Sequence, residues 1–268
     1  MSVSDLRLVL VGWGAIGSRV AALLVERGAP VQIVGVGLRD AGRTRDLPEG
    51  AVVLTDPADL AALSPDLVVE AAGRGSVLPW GRAALMAGCD FAVSSTSAFV
   101  EDAVLAEFLA LAKAQRAHLI IPPGALGGID ALSAAARLPL AFVRHEIVKP
   151  PAAWMGTGAE ALCDLAGLQE PFTFFEGTAR TAADAFPQNA NVAVISALAG
   201  IGLERTTIAL VADPGARMNR HSIVAEGDFG RMAIRLDNRP LATNPKSSEM
   251  TALSLVRMIE ARLGGLVI

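Results

Sequence analysis

The chain has 268 residues, of which 52% are hydrophobic and 19% charged, and its formal net charge at pH 7 is -4. This length allows one large domain or two smaller ones with a sizeable core, and the mixed charges indicate no basic surface for nucleic acid. No apolar run reaches the length of a membrane span, and the two cysteines are too few for a disulfide framework and lack metal-ligand spacing. We therefore expect a cytoplasmic α/β protein that binds a small molecule, and no nucleic acid, membrane or metal.

The first part of the chain alternates short apolar runs with segments of helical periodicity. Residues 6–11 form an apolar run that ends at Gly12, as a buried parallel strand does. A helix is predicted over 16–27, with Gly28 as its C-terminal cap. Further strands are predicted over 31–36, 52–54, 66–70, 90–94 and 117–121, and further helices over 79–87 and 101–116. Strands that alternate with helices indicate a doubly wound parallel sheet, which we assign to a domain of residues 1–121.

After this domain, strands follow one another with few helices between them. They are predicted over 143–148, 172–176, 206–211, 222–226 and 230–236, with a buried helix over 189–199. Such a succession indicates an antiparallel or mixed sheet, so we assign residues 122–245 to a second, α+β domain. An amphipathic helix is predicted over 247–263. We expect residues 246–268 to pack back on the first domain.

The turn after the first strand carries a G-x-G-x-x-G motif, Gly12-Trp13-Gly14-Ala15-Ile16-Gly17. Between a strand and a helix this motif indicates a Rossmann dinucleotide site, whereas alone it could be a glycine-rich turn without a ligand. Gly12 allows the tight turn, Gly14 lets the backbone approach a pyrophosphate, and Gly17 lets the helix pack on the strand. Ala15 and Ile16 open the helix, whose free N–H groups and dipole attract phosphates. The motif therefore predicts a dinucleotide cofactor, NAD or NADP.

The end of the second strand bears on the choice between these cofactors. NAD-specific Rossmann domains usually place an acidic residue there, which binds the ribose 2′-hydroxyl, and this strand ends without one. Arg39 lies just beyond and could hold the 2′-phosphate of NADP, or it could be a solvated loop residue near Asp40. The sequence therefore predicts that NADP is tolerated and does not exclude NAD.

Few side chains can transfer a proton near neutral pH in this chain. It has no tyrosine, which excludes the Tyr–Lys catalytic pair of short-chain dehydrogenases, and it has three histidines and three lysines. The histidines are His118, His145 and His221, and the lysines are Lys113, Lys149 and Lys246.

Four motif segments follow one another in the second part of the chain. They are IPPGALGGIDAL at 121–132, FEGTAR with FPQNANVA at 175–180 and 186–193, NRHSI with EGDFG at 219–223 and 226–230, and NRP with NPKSS at 238–240 and 244–248. In order and spacing these segments resemble those of the L-aspartate dehydrogenase family. The resemblance implies oxidation of L-aspartate by NAD or NADP to iminoaspartate, which water hydrolyses to oxaloacetate and ammonia, and a link to NAD biosynthesis.

The resemblance also implies roles for individual residues. His221 matches the catalytic histidine of the family, and Ala125 and Asn191 match its cofactor contacts. Neutralising the substrate amine and hydrating the imine both need a base that works near neutral pH, which suits an imidazole. A lone histidine near a strand is otherwise more often a surface or satisfied core residue. The pattern around His145 is that of an ordinary strand residue.

Aspartate brings two carboxylates, and burying them without cationic or N–H partners would be costly. Arg217, Arg220 and Lys246 lie in or next to the histidine and Asn-Pro-Lys segments and are candidate partners, although each could be a solvated surface charge. Lys149 occupies a place similar to a lysine of dihydrodipicolinate reductases. The Ser-Gly-Thr loop that follows that lysine is replaced here by Pro-Pro-Ala-Ala-Trp.

Two other functions stay open on the sequence. The chain could be another two-domain reductase of the dihydrodipicolinate reductase or homoserine dehydrogenase plan. It could also be a catalytically silent dinucleotide sensor, which would keep the glycine motif but need not keep His221. By analogy with folds whose mixed sheets pair across a two-fold axis, we expect a homodimer.

Overall fold

The computed structural model describes residues 5–40, 42, 46–187 and 191–264. The chain divides into two compact units, one of Met1–Pro122 with Ala252–Ile268 and one of Pro123–Thr251. Within the ranges described, no helix is long and apolar enough to cross a membrane.

The first unit is built on a six-stranded sheet in which every pairing is parallel. Its strands are β1 (Leu6–Val11), β2 (Val31–Gly37), β3 (Val52–Leu54), β4 (Leu67–Glu70), β5 (Asp90–Val93) and β6 (Leu119–Ile120). Their order in the sheet is β3-β2-β1-β4-β5-β6, so the direction of winding reverses between β1 and β4. This is the Rossmann order, which confirms the predicted doubly wound sheet.

Three helices follow the strands of this unit, namely α1 (Ala15–Glu26), α2 (Arg74–Met86) and α3 (Asp102–Gln115). Helix α1 buries Val20, Leu23 and Leu24, as its periodicity predicts, and ends next to Gly28, whose φ of 62° suits a glycine. Helix α2 begins before Pro79, where the sequence had placed its start, so that prediction was wrong. The true start follows Gly73, which turns the chain with a φ of 134°.

The second unit is built on a five-stranded mixed sheet, as predicted. Its strands are β7 (Leu140–Lys149), β8 (Phe172–Thr178), β9 (Thr206–Ala212), β10 (Asn219–Gly227) and β11 (Gly230–Asn238), in the order β11-β10-β7-β9-β8. Only β7 and β9 run parallel to each other. A separate hairpin pairs β12 (Pro240–Leu241) with β13 (Asn244–Ser248).

The helices of the second unit are α4 (Ile129–Ala135), α5 (Pro151–Trp154), α6 (Ala179–Ala185) and α7 (Asn191–Ala199). The first three are short and were not predicted, because four to seven residues carry too little periodicity. Helix α7 packs on β7 and β9. On β7 the alternate residues His145 and Ile147 are buried, and on β10 the alternate residues His221, Ile223 and Ala225 are buried.

The last helix, α8 (Glu249–Glu260), contributes to the core of the first unit. Its buried residues Leu255, Val256 and Ile259 belong to the same apolar cluster as the strand residues of that unit. Glu260 also accepts two hydrogen bonds from Arg27, at 2.6 and 3.0 Å. The helix begins two residues later than predicted because the residues before it form β13.

Candidate active site

A cavity of about 1270 Å³ lies at the carboxyl ends of β1, β2 and β4 in the first unit. This is the point at which the strand order reverses, where open α/β sheets bind their ligands. Its lining includes the glycine motif, the residues that follow β2, and the loop from β4 into α2. The sequence motif therefore faces a space large enough for a nucleotide.

The three motif glycines differ in what surrounds them. Gly12 has a φ of 98°, and a Cβ there would lie 2.7 Å from the Cα of Ala72, while a Cβ on Gly17 would collide with the carbonyl oxygen of Gly12. A Cβ on Gly14 would meet nothing within 4 Å, and Gly14 lines the cavity. Gly12 and Gly17 are thus required by close backbone packing, and Gly14 keeps the backbone bare where a ligand can approach.

The N-terminus of α1 follows directly after Gly14. Ala15 and Ile16 are the first two residues of this 12-residue helix, and the first N–H groups of a helix have no partner within it. Together with the helix dipole they favour an anionic ligand. The bare backbone at Gly14 and these donors fit the pyrophosphate of a dinucleotide.

Glu70 holds in place the loop from β4 into α2, and that loop lines this cavity. Its side chain is fully buried at the end of β4, and its Oε1 accepts hydrogen bonds from the backbone N–H groups of Ala72 and Gly73 at 2.8 and 2.7 Å. The hydroxyl oxygens of Ser76 and Ser95 each lie 2.9 Å from the same oxygen. Sequence reasoning missed this residue, because a glutamate that ends a strand belongs to no recognisable motif.

Two charged residues stand where the adenosine ribose is expected. Arg39 and Asp40 are both exposed and both line the cavity. The Oδ1 of Asp40 accepts a hydrogen bond from the N–H of Gly42 at 2.8 Å. A carboxylate therefore does lie at this edge of the cavity, three residues after β2 ends, although the sequence pattern indicated none at the strand end.

A pair of histidines lies in the interior of the second unit. His145 on β7 is 0% exposed and His221 on β10 is 3% exposed. The Nε2 of His145 lies 3.3 Å from the Nδ1 of His221, and the Nδ1 of His145 lies 3.0 Å from the Oγ of Ser196 on α7. The sequence pattern around His145 indicated only an ordinary strand residue, because strand pairing decides which side chains meet. The third histidine, His118, lies in the first unit with its Nδ1 3.0 Å from Asp90.

Burial sets the protonation state of the pair. It lowers the pKa of His145 to about 3. Burial also lowers the pKa of His221 well below 6.5, and the charges of His145 and Lys149 lower it further. Both imidazoles are therefore neutral at pH 7, the state in which a histidine can accept a proton.

Two lysines lie close to the histidine pair. Burial, and then the charge of Lys246, lower the pKa of Lys149 to about 8. The Nζ of Lys149 donates to the carbonyl oxygen of Lys246 at 3.3 Å and lies 5.4 Å from the centroid of the Trp154 ring. The structure thus brings the predicted Lys246 together with Lys149, and the charge of Lys149 acts on His221.

The two predicted arginines do not join this cluster. Arg220 precedes His221 on β10, so their side chains point to opposite faces of the sheet. The Nε of Arg220 donates to Asp237 on β11 at 3.0 Å. Arg217 is exposed in the turn before β10. The sequence could not show which of these cations lies near His221 in space. Arg217 and Arg220 are close to it along the chain, and Lys246 belongs to another motif segment.

The two predicted cofactor contacts of the second unit lie in different local settings. The carbonyl oxygen of Ala125, a buried residue, accepts a hydrogen bond from the Nδ2 of Asn238 at 2.8 Å. Asn191 is the first residue of α7. Three residues of its motif segment lie outside the described residues, namely Gln188, Asn189 and Ala190. The predicted start of the helix, at 189, is among them.

Comparison with known proteins identifies the family. Residues 130–262 match the family model for the C-terminal domain of aspartate dehydrogenase, and residues 12–122 match that for the NAD-binding domain of homoserine dehydrogenase. The L-aspartate dehydrogenase of Brucella anthropi is 64% identical over 269 residues, which cover 100% of both chains. The chain belongs to the L-aspartate dehydrogenase family. The resemblance drawn from the four motif segments is thereby confirmed, and this L-aspartate dehydrogenase family member is an oxidoreductase whose cofactor is NAD or NADP.

Two solved structures have a fold similar to that of this family member. The aspartate dehydrogenase of Thermotoga maritima matches with a TM-score of 0.78 and 25% identity, covering 98% of this chain and 99% of that one. A dihydrodipicolinate reductase from Paenisporosarcina sp. matches with a TM-score of 0.56 and 14% identity, covering 96% and 94%. At that identity the second likeness concerns the fold alone.

Proposed function

We propose that the protein oxidises L-aspartate with NAD or NADP to iminoaspartate, which water converts to oxaloacetate and ammonia. The observation that carries this proposal is the full-length similarity to the Brucella anthropi relative, an L-aspartate dehydrogenase. His221, Lys149 and Lys246 in the second unit support it, because a buried neutral histidine offers a base and the two lysines offer cations. We further propose that the iminoaspartate enters NAD biosynthesis.

The proposed base is His221. When bound, the nicotinamide supplies the hydride acceptor for the hydrogen on Cα of the substrate. That transfer requires a neutral amine, whose lone pair assists, and His221 takes the proton that the ammonium group loses. Its lowered pKa keeps it neutral over the working pH range. Once it has released that proton to solvent, it can take a proton from the water that adds to the imine.

The proposed partners of the two carboxylates are Lys149 and Lys246. A charged donor beside a desolvated carboxylate offsets the cost of burying it. Burial and the charge of Lys246 both lower the pKa of Lys149. A carboxylate bound beside the two lysines would favour their charged forms. Arg217 and Arg220 remain weaker candidates for the same role, since Arg220 already binds Asp237.

A buried acceptor close to His221 supports a substrate that carries N–H groups. Asn219 precedes His221 by two residues on β10, so both side chains lie on the same face. Asn219 is 0% exposed, and its Oδ1 has no hydrogen-bond partner among the residues that the structure describes. An unsatisfied buried acceptor is costly, and the amine of an amino acid would satisfy it.

The proposed contacts with the pyrophosphate and the ribose lie in the cavity of the first unit. Gly12, Gly14 and Gly17, with the N–H groups of Ala15 and Ile16, would hold the pyrophosphate. Arg39 would contact a 2′-phosphate. Ala125 and Asn191 are proposed as additional cofactor contacts on the strength of the family resemblance. The proposed assembly is a homodimer, which light scattering on the purified protein would check.

The experiment that tests the proposed function follows the absorbance of reduced nicotinamide. The purified protein is incubated with NAD or NADP and L-aspartate, L-homoserine or other amino acids, and in reverse with oxaloacetate, ammonia and reduced cofactor. We expect turnover with aspartate in one direction and with oxaloacetate plus ammonia in the other. Turnover of homoserine but not aspartate would contradict the proposed substrate, and cofactor binding without any turnover would indicate a dinucleotide sensor.

A further inference from the structure

A continuous line of polar atoms connects helix α7 to His221. The hydroxyl of Ser196 donates to the carbonyl oxygen of Ala193, at 3.0 Å. The Nδ1 of His145 lies 3.0 Å from that hydroxyl oxygen, and its Nε2 lies 3.3 Å from the Nδ1 of His221. Ser196 and His145 are both 0% exposed, so water does not compete for these bonds.

The first bond of this line orders the protons that follow. A hydroxyl has one proton, and where Ser196 donates it to the carbonyl oxygen of Ala193, its own oxygen accepts from the Nδ1–H of His145. A neutral imidazole that donates from Nδ1 has a lone pair on Nε2. The Nε2 of His145 therefore accepts from the Nδ1–H of His221. The Nε2 of His221 is then left with the lone pair.

We propose that Ser196 and His145 are positioning residues that hold the neutral imidazole of His221 with its proton on Nδ1 and its lone pair on Nε2. This inference rests on the proposed function, in which His221 is the base. The opposite tautomer would carry a proton on Nε2 and could not accept one from the substrate there. We call the hydrogen-bonded line from Ser196 through His145 to His221 the relay. The relay selects the tautomer of His221 that can accept a proton from the substrate.

The charged groups around the pair show why a neutral relay suits this base. The groups that act on the charge of His221 are His145 and Lys149, and Lys246 in turn acts on Lys149. All of them oppose a positive imidazole. His145 resists protonation because of its own burial. The relay can therefore orient His221 without storing the proton that His221 accepts.

Nuclear magnetic resonance can observe the tautomer directly, apart from any activity. In protein labelled with 15N-histidine, long-range proton–nitrogen correlations distinguish a protonated ring nitrogen from an unprotonated one. The signals of His221 are assigned by comparison with the His221→Gln variant. In the wild type above pH 7 we expect Nδ1 of His221 to be protonated and Nε2 to be unprotonated. A protonated Nε2 would overturn the inference while leaving the dehydrogenase function intact.

The variant that tests the relay is Ser196→Ala, which removes only the hydroxyl. His145 then loses its acceptor at Nδ1 and can move its proton to Nε2, which turns His221 to the opposite tautomer. We expect a protonated Nε2 on His221, or a mixture, and a fall in kcat of about tenfold or more with KM and cofactor affinity unchanged. Ser222→Ala is the matched control, because Ser222 follows His221 on β10 and points to the other face.

The outcomes separate the inference from the proposed function. An unchanged tautomer in Ser196→Ala, with kcat within about twofold of the wild type, would overturn the relay. If neither protein oxidises aspartate but the tautomer shifts in Ser196→Ala, the relay stands and the proposed function fails. Circular dichroism and thermal melting confirm that each variant is folded, and His145→Phe provides a second break in the relay at its centre.

Discussion

His145 and His221 meet diagonally across two antiparallel strands. His221 is paired with Ile147, and His145 is paired with Ile223, so the two imidazoles lie on the same face of the sheet two positions apart. Their ring centroids are 5.5 Å apart. Because both rings are buried and share a hydrogen bond, a change in one alters the environment of the other.

Replacement of His221 by alanine tests the proposed base. We expect kcat to fall by roughly 10²–10⁴-fold, the usual loss for a general base, because the residue acts in the transition state. Dinucleotide affinity should change little, since the proposed pyrophosphate contacts are in the glycine motif. Steady-state kinetics and a fluorescence titration with reduced cofactor measure the two quantities. His118→Ala is the matched control, because its side chain is 76% exposed.

The pH profile of the wild type gives an independent check on the same base. If the base were an imidazole of ordinary pKa, about 6 to 8, the enzyme would lose activity as the pH falls below that pKa and the base becomes protonated. Burial and the neighbouring positive charges lower the pKa of His221, so it stays unprotonated to lower pH. We expect the acid limb of kcat to lie below pH 6.5. A limb at or above that pH which survives in His221→Ala would identify another base.

The buried His145 makes stability depend on pH. Its pKa is lowered to about 3 in the folded protein from 6.5, so between these values the unfolded chain binds more protons. Stability is therefore full above about pH 6.5 and decreases as the pH falls toward 3. Urea unfolding at a series of pH values measures this slope. His145→Phe should make the slope shallower, whereas an unchanged slope would show that His145 does not contribute.

Arg39 and Asp40 are expected to bind different forms of the cofactor. Arg39→Ala should raise the Kd of NADP by roughly tenfold, since a charge-assisted bond to the 2′-phosphate is lost, and should leave that of NAD nearly unchanged. Asp40→Asn should weaken NAD and improve NADP, because it removes a repulsive charge. Calorimetric titrations measure both affinities. An equal loss for the two cofactors in Arg39→Ala would show that Arg39 does not face the phosphate.

Two glycines of the motif should respond differently to the same substitution. Gly17→Ala places a Cβ against the carbonyl oxygen of Gly12, so we expect a stability loss of about 1–3 kcal/mol or more. Gly14→Ala meets nothing within 4 Å and should leave the melting temperature nearly unchanged. Its methyl group projects where the pyrophosphate would approach, so cofactor affinity should fall. Thermal melts with and without NAD compare the two, and a destabilised Gly14→Ala would contradict this division.

The two lysines should control the affinity for aspartate in a pH-dependent way. The pKa of Lys149 is lowered to about 8, so it is charged below that pH and neutral above it. If it binds a carboxylate, KM for aspartate should be constant below pH 8 and rise above it. Lys246→Met should raise KM and move this limb to higher pH, because the neighbouring charge that lowers the pKa of Lys149 is gone. A limb that does not move would separate Lys149 from substrate binding.

The sequence alone determined the architecture of this protein and the class of its cofactor. Strands of the first unit and the glycine motif are local features, because a buried strand, a tight turn and a helix start each depend on neighbouring residues. The motif segments were sufficient to indicate the family, since they are also contiguous. The short helices α4, α5 and α6 were missed because four to seven residues carry too little periodicity. The start of α2 was missed because the preceding turn at Gly73 is held by hydrogen bonds to Glu70, which no sequence motif indicates.

Only the tertiary structure decided which polar side chains meet. His145 and His221 are 76 residues apart in the chain, and their contact depends on the register of β7 against β10. A shift of one residue in that register would turn one imidazole to the other face of the sheet. The same alternation turns Arg220 away from His221, although the two are adjacent in sequence. Burial then lowers the pKa of both histidines, a property that depends on the surrounding fold and has no signature in the sequence.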